Sequence, residues 1–249
     1  SLHPGLYHAG LSERVQQAGG VIMGGAAVTK AQADGTGFVL QTSRGTVRAR
    51  DVIIVTNGYR QQVSQFCRQR VVPVTSALIA TAPLPPQRLR DLMPTGRMYG
   101  NSARVFAYFR SAPDEPRLVW GGRVGRNAPA ASPRAYAHLA RHLLKVFPQA
   151  GDMPVSHAWS GQIGYTFDEF PHLGRAPDGP YYAMGYGGNG VMYSAQAGRR
   201  VAQLMAGRGQ GLDLPIFTSE LPSYGMLTPF RRIGQRAMYR WYALKDEIL

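Results

Sequence analysis

Residues 181–192 have the sequence Tyr-Tyr-Ala-Met-Gly-Tyr-Gly-Gly-Asn-Gly-Val-Met, and this stretch decides the fold. It predicts a strand from Tyr181 to Gly185, a glycine loop from Gly185 to Gly190, and a helix from Val191 to about Ala206. A strand, glycine loop and helix in succession can bind an anionic group on the backbone N–H groups at the helix start. A tight turn that only connects a strand to a helix explains the same glycines equally well.

An apolar run from Val52 to Val55 lies upstream of this stretch and has no polar alternation. Such a run is typical of a parallel strand that is covered on both faces. It ends at Thr56-Asn57-Gly58, and ligands in open α/β sheets bind beyond the carboxyl ends of such strands. The run therefore predicts an α/β fold with a ligand at its strand ends.

The N-terminal residues also carry helix and strand signals. Gly5 to Gly19 has apolar residues on one helical face and predicts a helix, and Val21 to Met23 predicts a strand after it. Gly37 to Thr42 and Thr46 to Ala49 alternate on either side of a Ser-Arg-Gly turn, which predicts a β-hairpin.

The middle of the chain changes character and predicts a second, antiparallel lobe. Its β-rich stretches are Val71 to Thr81, Arg104 to Arg110 and Leu118 to Arg123. One helix is expected to begin at Ser132-Pro133, because serine suits the N-cap and proline the first helical position. The fold class is therefore α/β (α+β).

The composition limits the function classes. The chain has 249 residues, of which 44% are hydrophobic, so it can bury a substantial core. Its apolar runs are far shorter than the roughly 18 to 20 residues that a membrane-spanning helix needs. The single cysteine, Cys67, excludes an intrachain disulfide and a cysteine-rich metal site, and it is typical of the reducing cytoplasm. No metal site is predicted.

The net charge of +14 is dispersed except at the C-terminus. There, apolar residues recur at helical spacing: Phe230, Ile233, Ala237, Trp241, Leu244 and Ile248. Arg232, Arg236 and Arg240 form a separate basic stripe. We expect a helix that packs on the protein or lies on a membrane surface. An alternative function class is a basic module for nucleic acid or a membrane surface, but only the tail gathers its arginines, so no nucleic-acid partner is expected.

Several further motifs support a family resemblance. They are His3-Pro4-Gly5-Leu6-Tyr7, Thr56-Asn57-Gly58-Tyr59, Trp159-Ser160-Gly161, Tyr165-Thr166-Phe167-Asp168, Pro171 and Gly174. With the glycine loop, they resemble the glycine oxidase, sarcosine oxidase and D-amino-acid oxidase superfamily of FAD-dependent oxidoreductases. Pro83-Leu84, Tyr108-Phe109-Arg110 and Gly121-Gly122-Arg123 look most like gamma-glutamylputrescine oxidoreductases.

The resemblance implies FAD as cofactor and oxidation of an amine or amino acid by hydride transfer from a C–N carbon. It places Val28, at the end of a strand, near the adenine of FAD, and it places Thr56, Asn57 and Gly58 near the dinucleotide. The residues that it places near the flavin are Gly188, Asn189, Gly190, Val191 and Met192. Backbone donors there would stabilise negative charge on the ring, so no catalytic acid or base is predicted. His172 is interpreted as structural.

Two positions depart from the sarcosine oxidase pattern. Gly161 stands where those enzymes have the cysteine that tethers the flavin, and Met192 stands where they have a lysine. A noncovalent FAD is therefore expected, and the electron acceptor stays open.

The resemblance also places the family's pyrophosphate-binding Gly-x-Gly-x-x-Gly upstream of His3, and no such motif is expected anywhere within these 249 residues. The chain is accordingly expected to be a C-terminal part, with an incomplete FAD-binding lobe and an antiparallel substrate lobe. We assign residues 1–70 and 161–207 to the FAD-binding domain, 71–160 to the substrate lobe and 208–249 to a basic helical tail. Alone, the chain is expected to bind FAD weakly, to lack oxidase activity, and either to form homodimers or to be poorly soluble. A truncated, catalytically silent protein is the remaining alternative.

Substrate contacts are expected on the strands of the second lobe. Arg110 and Arg123 could pair with a substrate carboxylate through two parallel hydrogen bonds. Tyr99, Tyr108 and Trp120 could wall a pocket for an amine. Each of these residues could equally be an ordinary strand residue that faces the solvent or the core.

Overall fold

The computed structural model of the chain describes residues 2–59, 63–123, 133–151, 153–208 and 220–248. The helices are α1 (Pro4–Gln17), α2 (Gln65–Arg70), α3 (Pro86–Leu92), α4 (Pro133–Val146), α5 (Gly190–Met205) and α6 (Arg231–Ile248). The strands are β1 (Val28–Asp34), β2 (Gly37–Thr42), β3 (Gly45–Ala49), β4 (Ile53–Ile54), β5 (Val72–Thr81), β6 (Tyr99–Gly100), β7 (Ala107–Ser111), β8 (Leu118–Arg123), β9 (Val155–Tyr165), β10 (His172–Arg175) and β11 (Tyr181–Met184). Short 3-10 turns occupy Pro148–Ala150 and Gly225–Phe230.

The described strands form three sheets, with the orders β1-β2-β3, β10-β11-β4 and β6-β7-β8-β5-β9. In the second sheet β4 and β11 are parallel, with Ile53 opposite Tyr181 and Ile54 opposite Tyr182. The chain divides into two compact units. We call Leu2–Pro73 with Ile163–Arg231 the glycine-loop unit, and Val74–Gln162 with Arg232–Leu249 the antiparallel unit.

An aromatic core lies in the antiparallel unit. The Trp120 side chain is completely buried, and its ring stacks on Phe109 with 4.5 Å between the ring centroids. Phe147 meets Phe109 edge to face. Leu139 and Leu143, one helical turn apart on α4, pack in the same cluster. Burying such a side chain stabilises the fold by about 1.5–3 kcal/mol.

Among the described residues, the glycine-loop unit has more large apolar side chains exposed than the antiparallel unit has. Ile54, Tyr182 and Met184 pack in one buried cluster of this unit. By contrast, α1 buries no residue, and Val21 and Ile22 are 86% and 53% exposed. None of the helices that the structure describes has the length and apolarity needed to traverse a bilayer.

The structure confirms most of the elements predicted from the sequence. These are α1, the β2–β3 hairpin, the parallel strand β4, the strand β11 with the helix α5 after the glycine loop, the antiparallel strands β5, β7 and β8, and the helices α4 and α6. Ser132, the predicted N-cap of α4, lies outside the described residues.

Two strand predictions are wrong in part. Residues 21–23 form no strand, because no described strand lies beside them to supply hydrogen bonds. β4 is shorter than predicted and is covered on one face only, since Ile54 is 4% exposed but Ile53 is 37% exposed. The sequence pattern also missed β1, whose residues are nearly all exposed, and β9.

Candidate functional site

The glycine loop follows β11 and opens α5, and its backbone requires glycine. Gly185, Gly187 and Gly188 have φ angles of 83°, 57° and 103°. Residues with a side chain rarely adopt these angles, whereas glycine does so without a steric penalty. The sharp reversal from β11 into α5 thus depends on these glycines.

Two side chains from distant segments hold the loop in shape. The Tyr165 hydroxyl donates a hydrogen bond of 2.8 Å to the Gly187 carbonyl. The Gly185 N–H donates one of 3.1 Å to Asn57 Oδ1, and Asn57 itself has a positive φ of 48°. The Gly187 N–H also donates to the Gly164 carbonyl at 3.1 Å. The end of β9, the segment after β4 and the glycine loop therefore meet at one junction.

Close backbone packing excludes larger residues from this junction. A Cβ atom added to Gly185 would lie 2.5 Å from Thr166 Cγ2 and 3.0 Å from the Phe170 carbonyl. One added to Gly58 would lie 2.6 Å from the carbonyl carbon of Ile163. These three distances are shorter than a van der Waals contact, so Gly185 is needed for space as well as for conformation, and Gly58 is needed for space.

The turn at residues 166–170 lies directly against the glycine loop and is itself fixed. Thr166 Oγ1 donates to the Phe170 carbonyl at 2.8 Å. His172, which is 1% exposed, places Nε2 3.1 Å from both carboxylate oxygens of Asp168. Desolvation alone would raise the pKa of Asp168, but hydrogen bonds from His172, the Phe170 N–H and Thr166 outweigh it and lower the pKa below its usual value.

Backbone N–H groups at the start of α5 are candidates to bind a ligand. Carbonyl and N–H point in opposite directions across a trans peptide, so the bond from Tyr165 to the Gly187 carbonyl turns the Gly188 N–H away from Tyr165. Gly190 and Val191 are the first two residues of α5, where N–H groups have no acceptor within the helix. Gly188 and Val191 are exposed.

The electrostatics of this helix start favour an anionic ligand. The first turn of α5 contains no acidic residue, and the Asn189 side chain makes no capping hydrogen bond. The N–H groups of Asn189 and Met192 already donate to the carbonyls of Tyr186 and Asn189. The candidate donors for an anionic ligand are therefore the N–H groups of Gly188, Gly190 and Val191, which are fewer than the predicted segment Gly188 to Met192 offers.

The predicted cofactor residues are only partly brought together. Asn57 contacts the glycine loop. Thr56 and Gly58 are its neighbours in the sequence and belong to the same unit. Val28 starts β1, where it pairs with Thr42, so the prediction that it ends a strand is wrong. The strand predicted at residues 21–23 does not form, so no strand ends at Val28. Instead Val28 begins a strand because it pairs with β2 of the hairpin. Gly161 lies in β9 and belongs to the antiparallel unit.

The register of the antiparallel sheet separates the predicted substrate residues. Tyr108 pairs with Gly121, Arg110 with Val119, and Arg123 with Ser76. Because side chains alternate between faces, Tyr108 and Arg110 belong to one face and Trp120 to the other. Trp120 is fully buried in the aromatic core, so it has a core role and not that of the predicted pocket wall.

Two of these side chains have defined partners. The Tyr108 hydroxyl lies 2.6 Å from Ser76 Oγ, and its ring covers Gly121, where an added Cβ would lie 2.3 Å from Tyr108. The partly buried Arg110 side chain donates through Nε to the Ser111 carbonyl at 3.0 Å. Tyr99, also a predicted pocket residue, stacks on Phe109 and hydrogen bonds to Thr95.

The prediction that the chain has no Gly-x-Gly-x-x-Gly motif is wrong as far as the spacing is concerned. Gly185, Gly187 and Gly190 have the Gly-x-Gly-x-x-Gly spacing, so the chain does contain that pattern once. The loop follows a strand and opens a helix, as the dinucleotide fingerprint does, but no described strand follows α5 to complete a βαβ unit.

Sequence reasoning assigned no role in the site to Tyr165, Thr166 or Asp168, although all three belong to a motif that it quoted. The sequence pattern that could have indicated their role is short: Asp168 and His172 are four residues apart, and they follow the pair Tyr165-Thr166. His172 is structural, as predicted, and its position beneath the loop is what the sequence did not indicate. Among the described residues, no group of three or more His, Cys, Asp or Glu side chains could hold a metal ion.

Curated relatives cover nearly the whole of this chain. A probable oxidoreductase, OrdL, of Rhizobium meliloti is 30% identical over 98% of this chain and 56% of its own length. The gamma-glutamylputrescine oxidoreductase of Escherichia coli is 29% identical over 99% of this chain and 57% of its own length. The chain thus spans about half the length of the curated relatives that it matches.

Solved structures share the fold. The glycine oxidase of Geobacillus kaustophilus superposes on 85% of this chain and 56% of its own, with a TM-score of 0.68 and 22% identity. The family model described as FAD dependent oxidoreductase matches residues 1–204. The chain therefore belongs to the family of FAD-dependent oxidoreductases.

Proposed function

We propose that this chain supplies the flavin edge and the substrate lobe of an enzyme that oxidises an amine or amino acid at a C–N bond. The observation that carries the proposal is the set of N–H groups of Gly188, Gly190 and Val191 at the positive end of α5. Bound FAD supplies the hydride acceptor in this family. The residues of the loop fit that role because they offer donors and no negative charge.

The role of each protein group follows from the charge that hydride transfer creates. With FAD bound, the N–H groups of the loop would donate hydrogen bonds to the negative charge that hydride transfer creates, and preorganised donors stabilise such charge more strongly than water does. Tyr165 and Asn57 are positioning residues, since they hold the loop and not the reacting atoms. Proton transfer by a side chain is not required for this step.

Relatives suggest the substrate class. Two of them are named glycine oxidase and gamma-glutamylputrescine oxidoreductase, and both names specify an amine nitrogen on a molecule with a carboxylate. We assign the carboxylate to Arg110 and Arg123 and the amine wall to Tyr108, whose side chain shares one sheet face with that of Arg110. The antiparallel unit then serves as the substrate lobe, and the glycine-loop unit as part of the FAD-binding domain.

The experiment mixes the full-length flavoprotein anaerobically with a panel of amines and amino acids. Bleaching of the oxidised flavin band by a member of the panel is the expected result. Absence of bleaching with every member, in a protein that retains FAD, would favour the catalytically silent alternative.

A variant tests the substrate face. Arg110→Gln should raise KM for substrates with a carboxylate about tenfold to a hundredfold, since hydrogen bonds between charged groups contribute about 1.5–3 kcal/mol. It should leave KM for amines without a carboxylate unchanged. Arg97→Gln, which removes an exposed arginine of the same unit, is the matched control.

We further propose that the FAD is noncovalent, because Gly161 cannot form a thioether. Acid precipitation of the yellow protein should leave the flavin in the supernatant, and colour in the pellet would contradict this proposal.

A cytoplasmic site of action is proposed from the buried free thiol of Cys67. A homodimer is proposed from the exposed Val21 and Ile22, and sedimentation velocity tests it.

A further inference from the structure

The C-terminal helix α6 directs its apolar side to the solvent. Ile233, Trp241 and Leu244 are 62%, 57% and 55% exposed. Ala237 is also exposed and lies between Ile233 and Trp241 at a spacing of four residues on either side. These four side chains lie on the same side of the helix, and we call them the apolar row.

The inner side of α6 is formed by other residues. Tyr239 is only 6% exposed and lies two positions before Trp241, about 160° away around the helix. The helix belongs to the antiparallel unit. A helix on a protein core normally turns its apolar stripe inward, so the orientation of α6 is the reverse of the usual one.

Basic side chains flank the apolar row. Arg232, Arg236 and Arg240 are exposed and follow one another at a spacing of four residues, which places them in a second row along the helix. Lys245 places its ammonium group 4.9 Å from the centroid of the Trp241 ring. No acidic residue occurs from residue 231 to 245.

We propose that α6 docks on the surface of an anionic lipid bilayer, with the apolar row in the acyl boundary and the arginines on the headgroups. This arrangement of an aromatic and aliphatic face beside a basic one is that of interfacial helices. Charge decides the occupant: a second copy of a chain with a net charge of +14 would bring like-charged arginine rows together, whereas an anionic bilayer attracts them.

Vesicle co-sedimentation of the full chain tests the proposal. We expect binding to vesicles of phosphatidylcholine with phosphatidylglycerol, and much weaker binding to phosphatidylcholine alone or at high salt. The triple variant Arg232→Gln, Arg236→Gln, Arg240→Gln should weaken binding to the anionic vesicles about a hundredfold. The double variant Ile233→Ser, Trp241→Ser should weaken it about tenfold or more.

Two matched variants separate the surface of α6 from bulk properties of the chain. Arg14→Gln, Arg199→Gln, Arg208→Gln removes the same charge from exposed positions elsewhere and should leave binding within about threefold of the unmodified chain. Val21→Ser, Met23→Ser removes exposed apolar side chains elsewhere and should also leave it intact.

Circular dichroism verifies that each variant keeps its helix content. An unmodified chain that stays in the supernatant with anionic vesicles overturns the proposal, as does equal loss of binding in the matched variants. Each changed side chain of α6 is exposed, so unfolding is not the expected cause of a loss.

Discussion

The interior of each of the two units of this protein is stabilised in a different way. In the antiparallel unit, large side chains fill the core, and Trp120 and Leu118 are completely buried. In the glycine-loop unit, the junction around Gly185 is held by contacts between backbone segments, and several apolar side chains such as Val55 remain exposed. Side-chain volume therefore stabilises the first region, whereas the absence of side chains shapes the second.

This difference matches what each region is proposed to do. A substrate lobe needs a rigid sheet whose outer face can vary, and an aromatic core supplies the rigidity. A cofactor edge needs backbone N–H groups close to the ligand, and glycine permits the approach. Four substitutions can break or sharpen this comparison.

The largest effect is expected in the aromatic core. Trp120→Ala should lower the free energy of unfolding by about 3–5 kcal/mol, because it removes a fully buried ring and leaves a cavity. Leu6→Ala on α1, where the side chain is 70% exposed, should change it by less than about 0.5 kcal/mol. Urea denaturation measures both. Comparable losses in the two variants would mean that α1 contributes as much to stability as the core does.

A second substitution tests whether the junction depends on missing side chains. Gly185→Ala should cost about 1–2 kcal/mol for the positive φ and about 1–3 kcal/mol more for the overlap with Thr166 and Phe170. Gly207→Ala has a similar φ of 67° but nothing within 4 Å of the added Cβ, so only the first cost applies. Urea denaturation of the two variants gives the difference. Equal costs would show that the contacts beneath Gly185 relax freely.

Much of the fold was predictable because glycine and proline punctuate it. The strand, loop and helix around Gly185 and the hairpin near Gly45 follow from turn chemistry that acts over a few residues. Val21 to Met23 misled the prediction, since apolar residues alone do not form a strand without a neighbour to pair with. β1 escaped prediction because its alternating apolar positions, Ala31 and Ala33, are alanines, which are depleted in strands, and because nearly all of its residues are exposed.

The contacts that build the site were not predictable in the same way. Asn57 and Gly185 are 128 residues apart, and Tyr165 and Gly187 are 22 apart, so their hydrogen bonds arise only from tertiary packing. The two faces of β8 followed from alternation, but the face that Trp120 occupies depended on the register with β5 and β7. The glycine-loop motif could thus be recognised in the sequence, but the hydrogen bonds that hold the loop could not be predicted from it.

A third substitution tests the turn beneath the loop through its pH dependence. The pKa of Asp168 is lowered in the folded protein, so its charge stabilises the fold above the pKa of the unfolded chain, and this contribution is lost as the pH falls through the lower folded value. Asp168→Asn should cost about 1 kcal/mol at neutral pH, a value reduced for its partial exposure, and less towards about pH 3. Unfolding free energies across that range provide the measurement.

The control for this substitution is Asp34→Asn, which removes a half-exposed carboxylate paired with Arg48 on the hairpin sheet. It should cost at most about 0.5 kcal/mol at neutral pH, as surface ion pairs do. An Asp168→Asn cost that does not change with pH would show that the carboxylate acts through shape and not through charge.

The smallest effect is expected from a single hydroxyl group. Tyr165→Phe removes the bond to the Gly187 carbonyl and frees that peptide to rotate, so the Gly188 N–H is no longer held towards the ligand side. One neutral hydrogen bond contributes about 0.5–1.5 kcal/mol, which corresponds to a rise in the Kd for FAD of about twofold to tenfold. Tyr99→Phe removes a hydroxyl bonded to Thr95 in the other unit and should leave the Kd unchanged. Flavin fluorescence titration of the full-length protein measures both constants. If Tyr165→Phe binds FAD as tightly as Tyr99→Phe, the glycine loop keeps its shape without the tyrosine, and backbone packing around Gly185 alone must orient the N–H groups.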